Sequence, residues 1–203
     1  MAPPAHTVVI FVRHGQTSST GRILPGRAAG LALAEKGIAQ AEAVAAQLTG
    51  RKGVVALYAS PLQRTRETAS PIAKALGLKV TLDKGLLECD FGDWTGAQLS
   101  KLRKLPEWKA VQRNPSGFRF PGGESFSEMA TRMSSTIDRY RAKHAGGTVV
   151  AVSHADPIKA AAAVALGVPL DLFQRIDISP CSMTIVAYGN EGPFVHCVNR
   201  VAP

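Results

Sequence analysis

Cysteine, aromatic side chains and acidic residues are all scarce in this 203-residue sequence, and each shortage excludes something. The three cysteines, Cys89, Cys181 and Cys197, are odd in number and form no CxxC pair. No disulfide framework is expected, and a reducing cytoplasm is the simpler home. Aromatics make up 6% of the chain and no Lys/Arg-rich run occurs, so a nucleic-acid binder would lack both its stacking platforms and its cationic stripe. No uncharged apolar stretch approaches the ~18 residues of a membrane span. The first apolar run, residues 8–12, is short, has no basic residue before it and meets Arg13-His14, so no signal peptide is expected.

What is present is an apolar fraction of 45%, enough for one core at this length. A single domain over 1–203 is expected. The charge is +9, from 24 Lys+Arg against 15 Asp+Glu, and the basic residues are scattered. That excess favours an anionic partner, and the scatter favours a small phosphorylated or carboxylated molecule over nucleic acid or a membrane.

Apolar periodicity alternates between two periods. Residues 7–13 (TVVIFVR), 54–59, 79–82, 148–152, 183–187 and 194–198 read as strands, the last two as a hairpin about Gly189-Asn190. Residues 35–48, 62–76, 127–144 and 157–166 read as helices, with Ser125 or Ser127 as a cap for the third. Strands alternating with helices predict an α/β domain with a largely parallel sheet. Residues 96–124 interrupt the rhythm with a basic helical stretch and a loop (NPSGFRFPGG), the kind of insertion that serves as a lid. Its Arg103, Lys104, Arg113, Arg119 and Phe118 or Phe120 predict tolerance of acidic or partly apolar leaving groups.

In an open α/β sheet ligands bind beyond the carboxyl ends of the strands. The first strand ends in Arg13-His14-Gly15-Gln16-Thr17, the second in Ser60-Pro61-Leu62-Gln63-Arg64, and the fourth in Ser153-His154-Ala155-Asp156. A loop before the insertion carries Glu88. Two His, two Arg and one Glu in one crevice suit metal-free phosphoryl transfer. Arg13, Arg64 and a cationic His154 would grip the phosphoryl oxygens, and a neutral His14 would attack. Glu88 would protonate the leaving oxygen and then act as base toward water. Cys89 is expected to be a buried, inert thiol. Glu124 and Ser125 are expected to cap the helix that follows.

Taken in order, Arg13-His14-Gly15, Ser60-Pro61-Leu62-x-Arg64-x-x-x-Thr68-Ala69, Leu87-Glu88 with Phe91-Gly92-Asp93-Trp94-x-Gly96, Pro121-Gly122-Gly123-Glu124-Ser125 and Val152-Ser153-His154 resemble the histidine phosphatase superfamily in its phosphoglycerate mutase-like branch. The resemblance implies a three-layer α/β/α sandwich. It implies His14 as the phosphorylated nucleophile, a phosphate pocket of Arg13, Arg64 and His154, and Glu88 as proton donor. Thr17, Thr20, Gly26, Arg27 and Ala155 are the expected substrate contacts, no metal or other cofactor is expected, and a homodimer would be in keeping with the family. Two departures stand out. Thr20 occupies a position where the family often has Asn, and Ala155-Asp156 replaces the usual glycine pair, adding negative charge beside the pocket. The expected activity is a metal-independent phosphomonoesterase for a small metabolite. A phosphomutase, or a catalytically weak binding protein on the same fold, is the alternative.

Overall fold

The computed structural model describes residues 6–202. A six-stranded sheet forms its centre, built from β1 (Thr7–Arg13), β2 (Val54–Ala59), β3 (Val80–Leu82), β4 (Thr148–Ser153), β5 (Met183–Gly189) and β6 (Gly192–Arg200) in the order β3-β2-β4-β1-β5-β6. The first four strands are mutually parallel, while β5 runs antiparallel to β1 and β6 antiparallel to β5. The α-helices are α1 (Glu35–Leu48), α2 (Gln63–Leu76), α3 (Leu99–Leu102), α4 (Pro106–Arg113), α5 (Phe126–Lys143) and α6 (Ala155–Leu166), joined by short 3-10 turns.

The period-2 alternation of the strands sorts the core into two layers. Ile10 and Val12 of β1 pack with Val44 and Leu48 of α1 and Ile72 of α2 on one face of the sheet. Val9 and Phe11 pack with Met133 and Ile137 of α5 and Ile158 of α6 on the other. All of these except Ile137, at 6%, are at most 1% exposed. Burial of each such side chain is worth roughly 1.5–3 kcal/mol, so both faces of β1 are strongly specified. The result is the three-layer α/β/α arrangement expected from the sequence.

Local signals set the element ends with small corrections. Helix α5 starts at Phe126, because Ser125 caps it: its hydroxyl accepts from the Glu128 amide (3.1 Å) and Glu128 accepts from the Ser125 amide (2.9 Å). Helix α6 starts two residues before Pro157, which therefore falls in the first turn, where a missing N–H leaves no hydrogen bond unmade. The β5–β6 turn sits on Asn190-Glu191, between the paired Gly189 and Gly192, one residue later than predicted.

Residues 96–124 contribute α3, α4 and, through Leu102, Val111 and Phe120, part of a third apolar cluster. Phe91, Phe120, Phe126 and Phe173 stack edge to face in sequence, at centroid distances of 4.8, 5.2 and 5.0 Å. Trp108 stacks on the buried Trp94 at 6.3 Å. These contacts fasten the insertion to the loop that carries Glu88.

Candidate active site

The hydrogen-bond ladder of the sheet runs past the strand ends into the chemistry. The His14 amide donates to Ser153 O (2.9 Å), and the Ser60 amide donates to Val152 O (3.0 Å). His14, Ser60 and His154 are thereby set side by side at the carboxyl edge of β1, β2 and β4.

His14 is 5% exposed, and its Nδ1 lies 2.7 Å from the carbonyl oxygen of Gly15. A carbonyl can only accept, so Nδ1 carries the proton and the lone pair of a neutral ring is on Nε2. Burial, then the charges of Arg64 and Arg13, hold the imidazole well below its ordinary pKa and keep it neutral. The following turn depends on a close backbone approach. A Cβ on Gly15 would stand 2.5 Å from Gly37 O, and one on Gly37 would collide with Gln16 O. Two glycines let this loop lie against the first turn of α1, where the Gln16 amide donates to Gln40 Oε1 (3.0 Å). Thr68 ties it to α2, accepting from the Gly15 amide (3.0 Å) while donating to Arg64 O (2.7 Å).

Three groups at the site keep buried nitrogens without hydrogen-bond partners. Arg64 is 1% exposed and donates one Nη to Gly26 O (2.7 Å), leaving Nε and the other Nη unpartnered. Arg13 donates to Ile178 O (2.6 Å) and keeps an unpartnered Nε. His154, fully buried, meets Ser60 Oγ through Nε2 (2.9 Å), and its Nδ1 has no partner. Buried polar groups are normally satisfied, so the free guanidinium donors of Arg13 and Arg64 beside an unpartnered imidazole nitrogen suit an anion. The charge of His154 differs from the sequence expectation. Burial first, then Arg64, His14 and Arg13, push its pKa well below the ordinary value, so it is neutral while the pocket holds no anion.

Glu88 is 7% exposed and accepts the Cys89 amide (3.0 Å). Burial, then the carboxylate of Asp156, raise its pKa to about 7 against the opposing pull of Arg64. It is therefore a carboxyl that holds a proton near neutrality. Its backbone is clamped by two arginines that the sequence reading did not place there. Arg27 donates through Nε to Glu88 O (2.9 Å), and Arg132 donates to Gly85 O (2.8 Å) and Leu87 O (2.9 Å). Glu124 joins them, accepting from Arg27 (2.9 Å), from Arg132 through Nε (3.0 Å) and Nη (2.9 Å), and from the Asp90 amide (3.2 Å). Glu124 is thus the hub of this clamp, while Ser125 alone caps α5. Its signal in the sequence was only its place at the end of the insertion.

A cavity of about 250 Å³ opens over the site. Arg13, His14, Glu88, Thr17, Thr20 and Ala155 all line it. Thr20 accepts the Thr17 amide (2.9 Å), and the two hydroxyls lie 3.1 Å apart. Arg64, His154, Gly26 and Arg27 stand apart from the lining, Gly26 holding Arg64 and Arg27 holding the Glu88 loop. Cys89 is fully buried and burial pushes its thiol pKa far up, so it is unreactive. A larger cavity of about 550 Å³ between α1 and α2 contains none of these groups. No helix among the described residues is long and apolar enough to cross a membrane.

Comparison with known proteins gives the family. The chain is 35% identical over 202 residues to the Bifunctional protein Rv2228c of Mycobacterium tuberculosis, covering 96% of this chain and 54% of that one. It therefore spans about half the length of the first curated relatives it matches. It is 33% identical over 183 residues to Phosphoserine phosphatase 1 of Hydrogenobacter thermophilus, covering 88% and 85% of the two chains. Among solved structures it superposes on the mycobacterial glucosyl-3-phosphoglycerate phosphatase Rv2419c with a TM-score of 0.85 and 26% identity, over 96% of this chain and 99% of that one. The model of the histidine phosphatase superfamily (branch 1) matches residues 9–201. The chain belongs to the histidine phosphatase superfamily.

Proposed function

We propose that this enzyme hydrolyses a small phosphomonoester without a metal, through a phosphohistidine at His14. The observation that carries the reading is the pairing of two opposed protonation states in one cavity. His14 is held neutral with its proton fixed on Nδ1, and Glu88 is held protonated near neutrality. A nucleophile and an acid of matched state are what phosphoryl transfer to nitrogen requires.

In the first step Nε2 of His14 forms a bond to phosphorus as the bond to the ester oxygen breaks. Glu88 gives its proton to that oxygen, and the alcohol leaves. In the second, the Glu88 carboxylate takes a proton from water, whose oxygen displaces the phosphoryl group from Nε2. Phosphate leaves and both residues return to their starting states. The free donors of Arg13, Arg64 and His154 neutralise the equatorial oxygens, and they are the reason no metal need do so. A phosphate dianion also favours protonation of His154, supplying the charge the empty pocket suppresses. The reading includes Thr17, Thr20 and Ala155 as further contacts and residues 96–124 as a lid on one domain in the cytoplasm. Transfer to water rather than back to product follows from the shortness of that insertion, since a mutase must keep its phosphohistidine dry.

The test is hydrolysis of p-nitrophenyl phosphate in excess EDTA by the wild type and His14→Ala. Turnover that survives EDTA and vanishes in the variant supports the reading. Turnover lost to EDTA, or retained by the variant, refutes it.

A further inference from the structure

A second cavity, of about 200 Å³, opens beside the catalytic one and shares a wall with it. Leu24, Phe91, Leu99 and Asp156 line both. The loop after β1 and the start of the insertion hold that wall together, since the Leu24 amide donates to Ala97 O (2.9 Å) and the Leu99 amide to Arg22 O (2.9 Å). Its charged member, Asp156, is paired with Lys159 Nζ at 3.4 Å. The other three members are apolar.

An aromatic floor distinguishes the second cavity. Trp108, Phe120 and Phe126 line it, and Phe120 meets Phe91 of the shared wall edge to face at 4.8 Å. Phe120 and Phe126 are both 1% exposed, so this floor is part of the packed core and is preformed. Arg103 and Gln112 are exposed and give the cavity a polar mouth, while Gln174 accepts from Lys159 (2.9 Å). Of the insertion residues expected near a leaving group, Arg103 and Phe120 are therefore in place. Phe118 packs on Trp94 at 5.6 Å, Arg119 turns to Glu128, and Lys104 and Arg113 line neither cavity.

Resting on the phosphatase reading above, we infer that this cavity is a leaving-group subsite, and that phosphomonoesters of alcohols carrying one aromatic ring are taken in preference to short alkyl ones. The shared wall lets a single ester span both spaces, with its phosphoryl group at His14 and its far end among the aromatic side chains. A cavity of ~150 Å³ lined by aliphatic and aromatic side chains holds benzene, so about 200 Å³ admits one ring with its linking methylenes. Trp108, Phe120 and Phe126 offer the ring edges and faces that receive an aromatic group. Burial of the ring there adds binding that a short alkyl group lacks, and a pocket of this kind discriminates by apolar size.

A spacer series reads the reach of the subsite: benzyl, 2-phenylethyl and 3-phenylpropyl phosphate against ethyl phosphate. All four leave as alcohols that need a proton, so the ring is the main difference between them. Each is measured as a substrate and as a competitor of p-nitrophenyl phosphate hydrolysis. At one spacer length or more the ring should give an advantage of at least about tenfold over ethyl phosphate, in kcat/KM or in inhibition constant. Trp108→Ala, which removes one wall, and Gln112→Trp, which narrows the mouth, should each cut that advantage several-fold. The ratio is the readout because Trp108 also stacks on Trp94, whose loosening moves all four esters together. Gln112 is exposed, so its variant keeps the fold and serves if Trp108→Ala does not. No advantage at any spacer, or an advantage unmoved in both variants, overturns the inference while leaving the phosphatase reading intact. Absent hydrolysis of p-nitrophenyl phosphate, or hydrolysis that survives His14→Ala, defeats that reading and this inference with it.

Discussion

His14 and His154 meet edge to face, with 5.2 Å between ring centroids and 63° between planes. The two rings are anchored differently. His14 is tied through Nδ1 to Gly15 O, and His154 through Nε2 to the Ser60 hydroxyl. Each ring thus leaves the opposite nitrogen uncommitted, one as a nucleophile and the other as a candidate donor. This asymmetry assigns them separate tasks.

Separate tasks predict separate penalties. Losing His154 removes one stabilising donor, so His154→Ala should lower kcat by roughly 10²–10³-fold while still forming the covalent intermediate. Ser60→Ala, which only frees the ring to turn, should cost less than His154→Ala. Steady-state kinetics on one alkyl phosphate, with the intermediate measured in parallel, checks the order.

The raised carboxyl predicts a pH profile. Glu88 must be protonated to serve as acid, so kcat/KM for an alkyl phosphate should fall as pH rises through about 7. The limit set by His14 lies on the acid side, below the ordinary imidazole range of ~6.5, because burial depresses that ring. Glu88→Gln should abolish the alkaline limb. It should also hurt alkyl phosphates far more than p-nitrophenyl phosphate, whose leaving group needs no proton.

The same carboxyl predicts a stability effect with a definite sign. A folded pKa raised from 4.5 to about 7 means that Glu88 favours folding while protonated, and this contribution declines as pH rises from the lower value to the higher. Above both, the wild type carries a buried charge that Gln does not. Glu88→Gln should therefore be the more stable protein at about pH 8, by on the order of 2–3 kcal/mol, and gain little near pH 4.5. Urea denaturation at the two pH values checks this.

Glu124 offers a test of the clamp behind Glu88. Its side chain is 14% exposed and bridges Arg27 and Arg132. Glu124→Gln keeps the shape but leaves two arginines without their shared carboxylate, at a cost of roughly 1–3 kcal/mol once partial exposure is allowed for. Because both arginines hold the Glu88 backbone, kcat should fall for alkyl phosphates and the alkaline limb should shift. A purely structural role would lower the denaturation midpoint and leave the pH profile in place.

Much of this molecule was legible before its structure. The apolar runs of β1, β2 and β4 are continuous, so their ends, and with them His14, Ser60 and His154, could be aligned at one edge of a sheet. The loop residues were harder. Arg27 and Glu124 lie in segments without periodicity, Arg132 lies on helix α5, and their pairings span 97 and 8 positions along the chain. Nothing local distinguishes them from surface charges. The neutrality of His154 was hidden for a related reason, since its first cause is burial, which depends on every element packed around it.

The central claim is a covalent phosphohistidine at one position, and chemical trapping tests it directly. The wild type, mixed with a phosphomonoester in EDTA and quenched in alkali within a turnover, should yield a peptide spanning His14 that carries one added phosphoryl group. That group should survive base and be lost in acid, as a phosphoramidate is. Steady turnover with no such adduct, or with the adduct on another residue, would contradict the account.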